Sequence, residues 1–171
     1  MMTDMMARFV ESGFAPVEFD GALVHPAYTH PISAGDRVRV RCVRANSTRA
    51  QGIMLRLRVP GVRGRAGEGG RLRVEEAEAP SIALWIDSAP EIVDAECVDA
   101  RDGAVLQVSN RWRLPDGRED EWLNSFGILI EDAGPGTVFL HCSDGYGDEP
   151  SFDDLIVELE IVRPAASLAA S

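Results

Sequence analysis

The 171-residue chain has no lysine: all 17 of its basic side chains are arginine. With abundant alanine, glycine and valine, that usage points to a GC-rich bacterial genome and says nothing of the fold. Cysteine is scarce. Cys42, Cys97 and Cys142 are far apart and odd in number, which excludes a disulfide framework and reads as reduced, buried thiols. No two of them stand at zinc-ligand spacing, so a cysteine zinc cluster is excluded as well. Long apolar runs are also missing. None approaches the roughly 20 residues that a membrane-crossing helix needs, and no membrane partner is expected. The opening stretch MMTDMMARFVESGF has an acid at Asp4, no basic region and no long apolar region, so it does not read as a secretion signal. The expected location is cytoplasmic, and the sequon Asn46-Ser47-Thr48 is then a chance match. Aromatics make up only 6% of the chain, and none lies between Arg37 and Arg73, where arginine is densest. Bases would find nothing to stack on there. With a net charge of −11, nucleic acid is not an expected partner of this acidic protein.

What the sequence does have is period-two alternation. In DRVRVRCV (36–43), Val38, Val40 and Cys42 face one way and Arg37, Arg39 and Arg41 the other. GIMLRLRV (52–59) and RLRV (71–74) repeat the pattern, and LIVELEIV (155–162) pairs an apolar face with Glu158 and Glu160. Further strands are expected at 81–87, 92–98, 104–114, 126–131 and 137–142. Pro115-Asp116-Gly117 and Ala133-Gly134-Pro135-Gly136 mark turns. The glycine-rich stretch PGVRGRAGEGG (60–70) reads as a mobile hairpin loop. One short helix is expected near 3–12. The fold class is therefore all-β: an antiparallel β-sandwich, jelly-roll-like, with about nine strands in a single domain over 1–163 and a flexible C-terminal tail at 164–171.

Charge is segregated along the chain. From Arg37 to Arg73 there are 11 arginines and one acid, Glu68; from Val74 onward there are 22 acids and five arginines. If the first strands pair as consecutive neighbours, Arg37, Arg39, Arg41, Arg56, Arg58, Arg71 and Arg73 share one sheet face. Such a face needs compensation. Asp94, Glu96, Glu158 and Glu160 have the outward parity to interleave as cross-strand partners; otherwise the face meets an anionic protein or a second copy of the chain.

The sharpest local question is HCSDGYGDEPSFDDL (141–155). Asp144, Asp148, Glu149, Asp153 and Asp154 offer hard oxygen ligands and Gly145 and Gly147 permit tight bends, as a calcium loop would need, but the spacing is not that of an EF-hand. A structural turn into the last strand is the competing reading. Trp112 and Trp122 bracket the turn PDGRED and are either cross-strand packing or a sugar-stacking platform. Cys142 shares parity with Val138 and Leu140 and reads as a core thiol, because adjacent His141 points to the other face. His25 and His30 each precede a proline in extended chain, without metal-pair spacing. There is no Walker loop, no G-x-G-x-x-G after a strand and no G-x-S-x-G elbow, so the sequence leans away from an enzyme.

The second half also carries Leu84-Trp85-Ile86-Asp87-Ser88-Ala89-Pro90, Asn110-x-Trp112, Gly127-Ile128-Leu129-Ile130-Glu131, Cys142-x-Asp144 and Phe152-Asp153-Asp154-Leu155. Over roughly residues 82–162 it resembles a group of uncharacterised bacterial proteins with strand-rich C-terminal halves. That resemblance implies a strand-rich fold and carries no catalytic residues across. The functional expectation is a non-enzymatic binding protein that acts through its charged sheet faces, on a protein partner or on itself as a homodimer. The alternative is a calcium-assisted, carbohydrate-binding jelly roll built on the 144–154 loop with Trp112 or Trp122.

Overall fold

The computed structural model describes residues 4–122, 124–145 and 148–164. Among these are one helix, α1 (Met5–Glu11), and fourteen strands: β1 (Val17–Phe19), β2 (Ala22–Val24), β3 (Tyr28–Pro31), β4 (Arg37–Ala45), β5 (Ala50–Arg58), β6 (Gly70–Val74), β7 (Ala77–Ala79), β8 (Ser81–Trp85), β9 (Ile92–Ala100), β10 (Val105–Arg113), β11 (Glu119–Asp120), β12 (Gly127–Asp132), β13 (Thr137–Ser143) and β14 (Leu155–Val162). All nine strands expected from alternation are present. The five additional ones, β1, β2, β3, β7 and β11, are two to four residues long, too short for a period-two pattern to register. The expected flexible tail falls, from residue 165 on, outside the described residues.

Every strand pairing is antiparallel. Seven strands run β12-β13-β14-β4-β9-β6-β7; the smaller sheet runs β11-β10-β5-β8, with β3 also on β10; β1 and β2 form a separate hairpin. The two large sheets pack face to face. Val38, Val40, Leu72, Leu140, Val157 and Leu159 from one and Ile53, Leu55, Leu57, Leu106 and Val108 from the other belong to a single buried cluster. Each such side chain contributes about 1.5–3 kcal/mol on burial. A second cluster, of Met5, Phe9, Val24, Trp112 and Phe126, seats α1 against the sandwich, with Phe9 and Phe126 at a ring separation of 5.1 Å. Asp4 caps the helix by accepting from the Ala7 N–H at 2.9 Å. Among the described residues no helix is long and apolar enough to cross a membrane.

One expectation about connectivity is corrected. β4 and β5 are consecutive but do not pair: β4 lies between β14 and β9, while β5 lies between β10 and β8. The stretch 60–70 does close as a hairpin-like loop, with Arg58 bridged antiparallel to Glu68, although the strands it joins, β5 and β6, continue into different sheets. It carries a short 3₁₀ turn at Gly64–Gly67 and is pinned by the Gly69 N–H donating to Leu57 O at 2.9 Å.

Candidate functional site

The chain crossing between sheets divides the seven arginines. Arg37, Arg39, Arg41, Arg71 and Arg73 stand on the outer face of the seven-stranded sheet; Arg56 and Arg58 are on β5, in the other sheet. The single seven-arginine face is therefore corrected. Basic β4 and β6 alternate with acidic β14, β9 and β7, so charge that is segregated in sequence becomes interleaved in space. Arg39 faces Asp94 and Glu160 in register, Arg41 faces Glu158, Arg37 and Arg73 face Glu96, and Arg71 faces Asp99. A register shift between Arg71 and Leu72 opposite β9 brings Asp99 onto this face, which simple parity did not anticipate. The closest ion pairs are Arg39–Asp94 at 2.9 Å, Arg41–Glu158 at 3.1 Å, Arg71–Asp99 at 2.8 Å and Arg73–Glu96 at 2.7 Å. The Arg39 guanidinium, by hydrogen bond first, holds the Asp94 carboxyl below its usual range.

The acidic stretch does something else. Asp144 is 1% exposed, and its carboxylate accepts hydrogen bonds from Ser47 Oγ at 2.8 Å, Arg49 Nε and Nη2 at 3.1 Å each, and Gln51 Nε2 at 3.0 Å. Ser47, Arg49 and Gln51 lie on the corner where the chain crosses from β4 to β5. Asp144 thus clasps the crossover. The Asp144 carboxylate is taken up by protein donors from Ser47, Arg49 and Gln51. The other carboxylates do separate jobs. Asp154 accepts from the Asp144 N–H at 3.0 Å, Asp153 accepts from Ser151 Oγ at 2.7 Å, and Asp148 is exposed. Among the described residues no group of three or more His, Cys, Asp or Glu side chains is placed to hold a metal. Gly147, invoked for the loop, lies outside the described residues. Burial, with the nearby Asp144 charge, pushes the Asp154 carboxyl up to about 6.

Trp112 is 1% exposed within the second cluster, so it packs and offers no platform to a sugar. Trp122 is half-buried. Its Nε1 donates to Pro26 O at 3.0 Å, and the Arg56 guanidinium lies 5.0 Å from its ring centroid. Cys142 is fully buried and burial pushes its thiol up; burial raises Cys97 to about 11. Neither is a ready nucleophile. His25 and His30 line different depressions.

The concave feature with mixed chemistry lies on the outer face of the five-stranded sheet. It is a cavity of about 550 Å³ lined by Phe14, Pro16, His25, Pro26, Ala27, Thr29, Arg58, Arg63, Gln107 and Trp122. A neighbouring depression of about 490 Å³ shares Phe14, Thr29, Arg58, Arg63 and Gln107 with it. The floor follows from register. Gln107 stands between Thr29 on β3 and Arg56 on β5, with Arg58 one step along the same face. Arg56 is neutralised by Glu121 and also donates to Ser109 Oγ at 3.0 Å. Arg58 and Arg63 have no carboxylate at ion-pair distance among the described residues, and Arg58 donates only to Val62 O, at 3.0 Å. Gln107 Oε1 is shielded from solvent and accepts no hydrogen bond.

Two aromatic walls complete the cavity. Phe14 sits just past the end of α1 at φ 64° and follows Gly13 at φ 67°. Its N–H donates to Phe9 O at 2.7 Å, so the helix ending holds it there. Trp122 is at φ 57°. Bulky residues in the left-handed region are outliers, and such strain concentrates at ligand-contacting sites. Burial lowers the His25 pKa, leaving a neutral ring at the rim. Of these lining residues, sequence reasoning had singled out Arg58 and Trp122 as binding residues and had weighed His25. It missed Phe14, Arg63 and Gln107, and also Arg49 and Gln51 of the crossover. Gln107 carries a trace: it is a polar residue at outward parity in AVLQVSNRWRL. Arg63 sits in the glycine-rich loop with no periodicity to place it.

No protein-family model, no curated protein and no solved structure matches this chain.

Proposed function

We propose that the protein is a non-enzymatic binding module that engages an anionic partner in the cavity on its five-stranded sheet. One observation carries this reading: Arg58 and Arg63 point charge at a concave, aromatic-walled space without a carboxylate partner among the described residues, whereas the arginines of the other sheet stand among acids. A cavity of about 550 Å³ falls within the size of small-ligand and side-chain pockets. The raised thiols of Cys97 and Cys142 and the solitary His25 support binding over catalysis. The setting that suits it is a bacterial cytoplasm, in keeping with an arginine-only composition and three free cysteines. Backbone-amide NMR with added benzoate and, separately, phosphate tests the site. Shifts should concentrate at Arg58, Val62, Arg63 and Gln107. Shifts confined to Arg39 and Arg41, or none anywhere, would sink it.

Self-association is the second reading, favoured by the columns of alternating charge across the seven-stranded sheet. Neighbouring columns are about 4.8 Å apart, so a second copy offset by one strand sets basic columns over acidic ones. Light scattering after size-exclusion should then find a dimer that salt dissociates. A monomer at every salt concentration ends that reading.

A further inference from the structure

We infer that the occupant of this cavity is an N-acylated α-amino acid carboxylate: an organic acid with an apolar side chain and an amide N–H next to its carboxylate-bearing carbon. This rests on the anion-binding reading above and narrows it. Three features of the cavity each demand one part of such a ligand. Arg58 and Arg63 supply guanidinium donors free of protein carboxylates among the described residues, and a planar carboxylate matches that geometry. Gln107 Oε1 accepts nothing, and a buried acceptor left unpaired is unfavourable until a donor arrives. The terminal amide torsion of glutamine is soft, so a flip of the amide on binding would bring this oxygen, shielded in the free protein, to a ligand N–H. The Phe14 and Trp122 rings, with Pro16 and Pro26, supply an apolar wall that a bare inorganic anion would not use.

The spacing on the sheet supports one ligand that spans these features. Gln107 and Arg58 are diagonal neighbours on adjacent strands of the same face, about 7–8 Å apart at the backbone. Both side chains are long enough to converge on adjacent groups of a single residue-sized ligand. Two sources have this chemistry, a free N-acyl amino acid and the C-terminal residue of a polypeptide.

Calorimetric titration of the full chain distinguishes these. The probes are N-acetyl-phenylalanine, its carboxamide, 3-phenylpropanoate, inorganic phosphate, and a tetrapeptide ending in phenylalanine. The free acid should bind and the carboxamide should be weaker by roughly tenfold or more. Removing the N–H, as in 3-phenylpropanoate, should weaken binding by roughly fivefold or more. Arg63→Ala, on an exposed loop, should lose roughly tenfold without moving the melt. Gln107→Leu should bind N-acetyl-phenylalanine and 3-phenylpropanoate alike. Tighter binding of the tetrapeptide assigns the site to a polypeptide terminus; exclusion of it assigns the site to a free acid; either supports the ligand class. Equal binding of acid and carboxamide overturns the class. So does phosphate binding with no acid binding, although that leaves the anion site standing. No binding by any anion overturns both.

Discussion

The outer faces of the two sheets use arginine in opposite ways. On the seven-stranded sheet, Arg39, Arg41, Arg71 and Arg73 keep between 36% and 52% of their side-chain surface exposed, each beside a carboxylate on a neighbouring strand. On the five-stranded sheet the guanidinium groups also lean on aromatic rings: Arg56, 18% exposed, lies against Glu121 and Trp122, and Arg113, 36% exposed, lies 4.2 Å from the Trp85 ring centroid. At the β4-to-β5 corner, Arg49 is 16% exposed against Asp144. The lesson is that arginine count and charge say little until strand order is known. The ladder is solvated and self-neutralised, and ion pairs of that kind add little to stability. The five-stranded side combines an ion pair against Glu121, cation–π stacks and two guanidiniums held at a cavity, and it is the side on which the proposed recognition rests.

The largest effect that sharpens this contrast should come from Asp144→Ala. The substitution leaves Arg49 and Gln51 without their acceptor in a nearly dry site, and removal of one partner of a buried pair costs about 3–5 kcal/mol. Chemical denaturation should show that loss, with the β4-to-β5 crossover loosened first in hydrogen exchange. A loss below about 1 kcal/mol, the scale of an exposed pair, would put Asp144 on the same footing as the ladder and erase the distinction.

Gly52→Ala tests the aromatic stack. A Cβ built on Gly52 stands 2.8 Å from the Trp85 ring, a separation real Cβ atoms do not adopt. The ring must therefore shift, and overpacking of this kind costs about 1–3 kcal/mol. In a double-mutant cycle, Gly52→Ala should add almost nothing once Trp85 is alanine. An undiminished penalty in that background would mean that the glycine serves the strand and not the ring.

The third effect depends on pH. Asp154 has a folded-state pKa of about 6 against an ordinary 3.8: burial raises it most, the hydrogen bond from the Asp144 N–H opposes that rise, the Asp144 and Asp153 charges add to it and Arg49 opposes it. The folded state thus holds this proton more tightly than the unfolded chain. Its stabilising contribution is complete below 3.8 and is lost as pH rises through about 6. Asp154→Asn keeps an oxygen for the Asp144 N–H and removes the ionisation. It should melt higher than the parent at about pH 7, with the difference closing towards about pH 4. A difference of constant size across that range would show that the carboxyl is not perturbed.

These contrasts also show how much could be read from sequence. Alternation located every long strand because one face of each is apolar: Val38 and Val40, Leu55 and Leu57, and Leu155, Val157 and Leu159 are all buried. The same parity placed Asp94, Glu96, Glu158 and Glu160 outward, where their strands meet β4 and β6. Strand order was not legible. It rests on long-range contacts such as the Asp144 clasp across the β4-to-β5 corner, where residues 47 and 144 meet with no local pattern to encode the contact. The register shift opposite Val98 that admits Asp99 was hidden for the same reason. The cavity was harder still. Its walls come from an α1 ending, two proline-flanked turns, a glycine-rich loop and the middle of β10, and only tertiary packing brings those together.

The smallest effect should be Arg39→Ala. Arg39 bonds to Asp94 through Nε at 2.9 Å and Nη2 at 3.3 Å and faces Glu160 on its other side. Both acids stay solvated when it is removed, and Arg37 still lowers the Asp94 pKa. The melt should move by less than about 2 °C, several-fold less than for the Asp144 substitution. The instructive failure is a large effect that depends on protein concentration. An isolated sheet face has no reason to show one. A second chain docked on the charge columns does, because it desolvates the pair and converts an exposed contact into a buried one. A concentration-dependent loss at Arg39, with the cavity arginines silent towards every anion, would transfer the binding role from the five-stranded face to the ladder.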